Sequence, residues 1–134
     1  MYDVIFIDGL YYYKQVLKDI KNSLKILNKD GFILVHDCLP RILAHQAVPR
    51  YRASWNSDVW KSIVELRKDI NLDIITCKID FGVAIIRKKK NQHLLNLPKK
   101  NLKSLKFKDY YYNHQEFMNI RNYEDTLRYL SLDR

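Results

Sequence analysis

An α/β sheet of mostly parallel strands, closed by an antiparallel pair, is the fold class that the sequence predicts. Three observations predict it: an apolar run at Val4–Ile7 ending in Asp8-Gly9, a helical pattern leading into a second apolar run at Phe32–Val35, and two strand-like segments around Asp80. Continuous β-branched and aromatic runs bounded by turn residues mark strands of a helix-covered parallel sheet.

Val4–Ile7 is accordingly expected to be a strand buried on both faces. From Tyr13 to Asn28, Val16, Leu17, Ile20, Leu24 and Leu27 recur at helical spacing, with Lys14, Lys18, Lys21 and Lys25 on the other side, which predicts an amphipathic crossover helix. Asn28 to Gly31 reads as its stop, and Phe32–Val35 as a second strand ending at His36-Asp37. Strand, helix and strand make one right-handed βαβ unit. The connection from Asp37 to Ser57 holds Pro40, Pro49, Arg41, Arg50 and Arg52 without a sustained period, the character of a functional lid or a disordered loop. Asn56 or Ser57 then caps a helix running to about Asp69, with Asp58 at its positive end. Leu72–Ile79 and Phe81–Arg87 read as antiparallel strands because the link between them is so short. A basic linker follows over 88–108, with Pro98 inside it, and a tyrosine-rich tail over 109–134 ends in a short helix with Glu124 and Arg128 four apart. Residues 1–87 thus form the α/β unit.

The 134 residues suffice for one hydrophobic core. The formal charge of +9 is unevenly spread: residues 1–86 hold twelve Lys/Arg and ten Asp/Glu, whereas 87–108 hold nine basic residues and no acidic one. That stretch, with Phe107 and Tyr110 to Tyr112 behind it, is either a solvated lysine-rich linker or a contact for nucleic acid or an anionic surface. No window has the ~18 consecutive apolar residues of a membrane span, and no basic and apolar leader follows Met1. Cys38 and Cys77 match no metal or redox spacing, so reduced thiols and a cytoplasmic setting are expected.

The strings I-D-G-L-Y-Y-Y at 7–13, G-F-I-L-V-H-D at 31–37 and W-N-S-D-V-W-K at 55–61 resemble, in that order, a bacterial family of class I S-adenosylmethionine-dependent methyltransferases found beside sugar and surface-polysaccharide genes. The resemblance covers residues 2–87. It implies a partial Rossmann-like sheet made of the fold's strands four to seven, with the seventh inserted antiparallel between the fifth and sixth. It also implies O-methyl transfer to a small-molecule or sugar acceptor. The glycine-rich turn and the acidic residue that cradle the cofactor in that family would lie before Met1, so this chain alone is expected to bind S-adenosylmethionine poorly. Such a chain would be a split or truncated enzyme, or a folded remnant. In that strand order Val4–Ile7 lies on an open edge, to be covered by a second copy, a separately encoded first half or the chain's own tail.

Ligands of open α/β sheets bind beyond the carboxyl ends of the strands, which brings Asp8 and His36-Asp37 to one rim. By the resemblance, Asp8 and Asp37 are candidate ligands of Mg²⁺, Asp8 and Gly9 border the cofactor, and His36 is a base or substrate contact. Tyr11 stands where the family commonly has histidine; a tyrosine of ordinary pKa is a poor base at neutral pH, which favours an aromatic wall. Trp55 and Asp58 are candidate substrate contacts. Each has a structural alternative: Asp8 as a strand end, Asp37 as a turn residue, His36 bonded to a loop carbonyl, Trp55 and Trp60 as anchors, Asp58 as a helix-start residue.

Overall fold

A computed structural model describes residues 1–9, 12–51, 55–97 and 102–131. In chain order the elements are β1 (Tyr2–Ile7), α1 (Tyr13–Ile26), β2 (Leu27–Val35), α2 (Leu43–Gln46), α3 (Trp60–Leu66), β3 (Asp73–Cys77) and β4 (Val83–Arg87), then a short 3-10 turn at Leu102–Ser104, α4 (Phe107–Met118), β5 (Ile120–Arg121) and α5 (Tyr123–Ser131). The five strands form one sheet in the order β1-β2-β4-β3-β5. β1 runs parallel to β2, β4 is antiparallel to both β2 and β3, and β5 is parallel to β3. Four strands therefore share a direction, and β4 alone runs against them.

The helix predicted from the lysine and leucine pattern is α1, which buries Val16 and Ile20. The Asn28–Gly31 segment, expected as its stop, is instead part of β2. The register slips between Tyr2 and Val4, Tyr2 facing Leu27 and Val4 facing Phe32, so the intervening residues bulge. Gly31 permits this: a Cβ there would lie 2.7 Å from the Asp3 carbonyl oxygen. The expected cap at Asn56 or Ser57 is also absent. Ser57 has φ 52°, and α3 starts only at Trp60, with no side-chain cap.

β1 corrects the expectation of a strand buried on both faces. Among the described residues it is an edge strand with β2 as its one neighbour, and Tyr2, Val4 and Phe6 are 59%, 57% and 56% exposed. Only alternate residues, Ile5 and Ile7, reach the core. Val4 and Phe6 pair with Phe32 and Leu34, themselves partly exposed, so the outward face of β1 and β2 is a continuous apolar strip. At β3 and β4 the corresponding pair Ile75 and Ile85 is buried.

The core is built around Trp60, Ile20, Ile33, Ile63, Ile74 and Ile86, and it also takes in Leu95, Leu105, Tyr110, Phe117 and Met118 from the region beyond residue 87. α1 packs on α3, α3 on α4, and α5 on β3. Arg67, just past α3, is 3% exposed and donates to the carbonyls of Glu116, Phe117 and His93, so it closes the end of α4 and holds the 91–95 segment. Burial lowers its pKa, while Glu116, Asp73 and Tyr129 oppose that shift. Asn91 adds bonds to the Arg67 and Asp69 carbonyls. The basic run is used internally at its start: Arg87 is buried against Asp73 and lies over the Tyr129 ring at 4.6 Å, and Lys88 donates to the Leu24 and Leu27 carbonyls. Among the described residues no helix is long and apolar enough to cross a membrane, and both cysteines are free and buried.

Candidate active site at the strand ends

Ile7 and Val35 face one another across the parallel pair, so the residues that follow them emerge side by side. The His36 N–H bonds the Ile7 carbonyl at 3.1 Å, extending the ladder by one step. Asp37 then turns the chain with φ 60°, a left-handed conformation that aspartate tolerates better than most residues. In a continuing strand, adjacent side chains would point to opposite faces. Here the turn brings both to Asp8: His36 Nδ1 lies 3.5 Å from Asp8 Oδ1 and 3.3 Å from Asp37 Oδ2. Ligand atoms of Asp8, His36 and Asp37 all lie within 4.8 Å of one another.

Two residues that the sequence reading did not single out for chemistry complete the cluster. Asp80, in the turn between β3 and β4, places Oδ2 2.8 Å from His36 Nε2. Because β4 pairs with β2, this turn lies beside the end of β2, and backbone bonds from Cys38 to Gly82 and from Leu39 to Phe81 hold the two together. Asn56 returns from the long loop and donates to Asp37 Oδ1 at 3.0 Å. The loop itself carries α2 and is fastened by bonds from Asn56 and Ser57 to the His45 carbonyl. The strand order, once expected, was the signal for Asp80; Asn56 had none beyond its place at the end of the loop.

The electrostatics are those of a histidine among carboxylates. Burial works against its charge, but the Asp80 hydrogen bond and the charges of Asp37, Asp8 and Asp80 together raise the His36 pKa above its ordinary value. Asp37 is raised chiefly by burial, with Asp8 and Asp80 adding to the shift and His36 opposing it. His36 Nδ1 is buried without a hydrogen-bond partner. If Nε2 donates to Asp80, the Nδ1 lone pair faces two carboxylates. That arrangement is repulsive unless a proton or a cation lies between them, and two carboxylate oxygens with one imidazole nitrogen are a donor set that suits a divalent ion.

The remaining candidates fall as follows. Gly9 borders open space, with nothing within 4 Å of where a Cβ would sit. Tyr11 lies outside the described residues; its neighbour Tyr12 meets Trp55 edge to face at 5.8 Å. Trp55 is half-buried and bonds the Ala47 carbonyl at 2.6 Å. Asp58 accepts from the Tyr13 N–H at 2.9 Å and from Ser57 Oγ at 3.1 Å. It therefore serves the positive end of α1, which has no acidic residue in its own first turn. Trp60 is fully buried against Tyr110, with ring centroids 5.1 Å apart. Burial pushes the Cys38 thiol up to about 12, with Asp37 adding and a bond to Ala84 opposing, so it is not a nucleophile.

Residues 1–38 match the family model described as a methyltransferase domain. The fold is similar to the crystal structure of the SAH-bound methyltransferase PaMTH1 of Podospora anserina, with a TM-score of 0.51 and 24% identity over 66% of this chain. The likeness is one of fold, and this chain spans 42% of the length of that structure. No curated protein matches the chain.

Proposed function

We propose that this chain carries the acceptor side of an S-adenosylmethionine-dependent O-methyltransferase site. The observation that carries the reading is the convergence of Asp8, His36 and Asp37 at the carboxyl ends of adjacent parallel strands, on a chain whose first 38 residues match a methyltransferase family model. The strand order β1-β2-β4-β3 agrees with strands four, five, seven and six of the class I fold. The sugar-associated branch of the family remains part of this proposal, as does a cytoplasmic setting.

When bound, S-adenosylmethionine would supply an electrophilic methyl group, and a divalent ion such as Mg²⁺ held by Asp8, Asp37 and His36 Nδ1 would lower the pKa of an acceptor hydroxyl. The rest is done by the chain. Asp80 orients the imidazole through Nε2, Asn56 holds the Asp37 carboxylate, and Gly9 leaves the rim open where the cofactor would approach. In the absence of an ion, the raised pKa of His36 favours a proton held on Nδ1 between the Asp8 and Asp37 carboxylates. Trp55 and Asp58 belong in this scheme to the supports of the site.

The free edge of β1 is, in this reading, where further strands join the sheet, carried by another polypeptide or a second copy. Its support is the exposed apolar strip of Tyr2, Val4 and Phe6. Calorimetry tests both parts. Mg²⁺ or Mn²⁺ is expected to bind saturably and to be lost in the Asp8→Asn, Asp37→Asn double variant; no ion binding at millimolar concentration removes the metal-assisted reading. S-adenosylmethionine binding by this chain alone at micromolar affinity would remove the need for a covering partner.

A further inference from the structure

A cavity of about 410 Å³ opens between the loop that follows β2 and the start of the C-terminal helical region, and Asp80 is its common wall with the His36 cluster. Its apolar side is Leu39, Pro40 and Ile120, and its aromatic side is formed by Tyr111 and His114 with Tyr110 beneath them. Two cations, Arg41 and Lys78, also line it. Arg41 is held in place by its guanidinium, 5.2 Å over the Phe81 ring and 3.2 Å from the Asp80 carbonyl, which occupies few of its five donors. Lys78 is exposed, its backbone is fixed by a bond to Arg121 on β5, and it has no carboxylate in ion-pair range among the described residues. The one carboxylate in the lining, Asp80, already faces His36 at 2.8 Å. The cavity therefore carries two cations against one carboxylate, beside aromatic and apolar walls.

We propose that this cavity binds the acceptor through a planar ring bearing an anionic group, the ring lying against Tyr111 and His114 and the anion meeting Arg41 and Lys78. The inference rests on the methyltransferase reading for the word acceptor, but the recognition itself does not. A planar ring uses the aromatic and apolar walls, and a carboxylate or phosphate uses the cations. Both an aromatic acid and a nucleotide have this chemistry.

The test is an amide-detected NMR titration of the full chain, without cofactor or metal, using 4-hydroxybenzoate, uridine monophosphate and the neutral ring 4-hydroxybenzyl alcohol. At least one anion is expected to shift Lys78, Tyr111 and His114 saturably, to bind about tenfold or more tightly than the neutral ring, and to weaken about tenfold in Lys78→Gln and in Arg41→Gln. A response to the benzoate alone assigns an aromatic acid, and to the nucleotide alone a nucleotide; a response to both assigns the shared ring and anion. No saturable shift with either anion, equal binding of the neutral ring, or unchanged affinity in both variants overturns the proposal. Ion binding at Asp8, His36 and Asp37 is measured separately, so a null titration here leaves that reading standing, and loss of ion binding there leaves this one.

Discussion

His36 is the residue on which the site's charge turns. Its folded-state pKa lies above the ordinary value, so its contribution to stability is fully present below about 6.5 and is lost as pH rises through the folded value. Asp37, also raised, acts in the same direction, because the folded state holds the proton more tightly than the unfolded chain. Melting temperature is therefore expected to fall as pH is raised across neutrality. In Asp80→Asn the fall should shrink, with the His36 ring resonances titrating at lower pH; an unchanged His36 titration would sink this account. Asp58→Ala removes the group that bonds the Tyr13 N–H and should cost about 1 kcal/mol in denaturant unfolding. The strand ends made Asp8, His36 and Asp37 legible, because residues that close parallel neighbours must meet. Asp80 was not read as chemistry, although the expected insertion of the last strand between its two neighbours carries the β3–β4 turn to the end of β2. Asp58 was read as a helix-start residue, which it is, but for a helix far earlier in the chain.

At the scale of elements, the strongest join is the one Arg67 makes between α3, α4 and the 91–95 segment. Arg67→Met keeps the apolar bulk but leaves three carbonyls without their donor, and unfolding should become easier by roughly 3 kcal/mol. A loss below a few tenths of a kcal/mol would show that water satisfies those carbonyls. β1, α1 and the β3–β4 hairpin were legible from apolar runs and one lysine-backed helical face. The longer β2 was not, because Asn28–Gly31 has turn composition and becomes a bulge rather than a stop. α4 and β5 were missed for a different reason. Tyr110, Phe117 and Met118 do recur at helical spacing and are buried, but tyrosines on the exposed side, such as Tyr111 and Tyr112, blur the pattern.

At the scale of the whole sheet the two sides differ: the β3 side is covered by α5 and extended by β5, while the β1 side presents an apolar strip and an edge that no strand among the described residues pairs with. Size-exclusion chromatography across a range of concentrations should show self-association, or pairing with a covering partner, that Phe6→Lys abolishes without lowering the melting temperature of the monomer. A monodisperse monomer whose β1 amides exchange freely would count against it. The left-handed turn at Asp37 has a bearing on how such a protein tolerates change. The backbone there asks for aspartate, asparagine or glycine, whereas the proposed ion site asks for a carboxylate. A saturation library at this one position should therefore split into two classes under two selections: asparagine and glycine pass a screen for solubility, and aspartate alone passes a screen for ion capture. Folding and the proposed function can drift apart here by a single nucleotide change, leaving a well-behaved protein without the carboxylate that the proposed site needs.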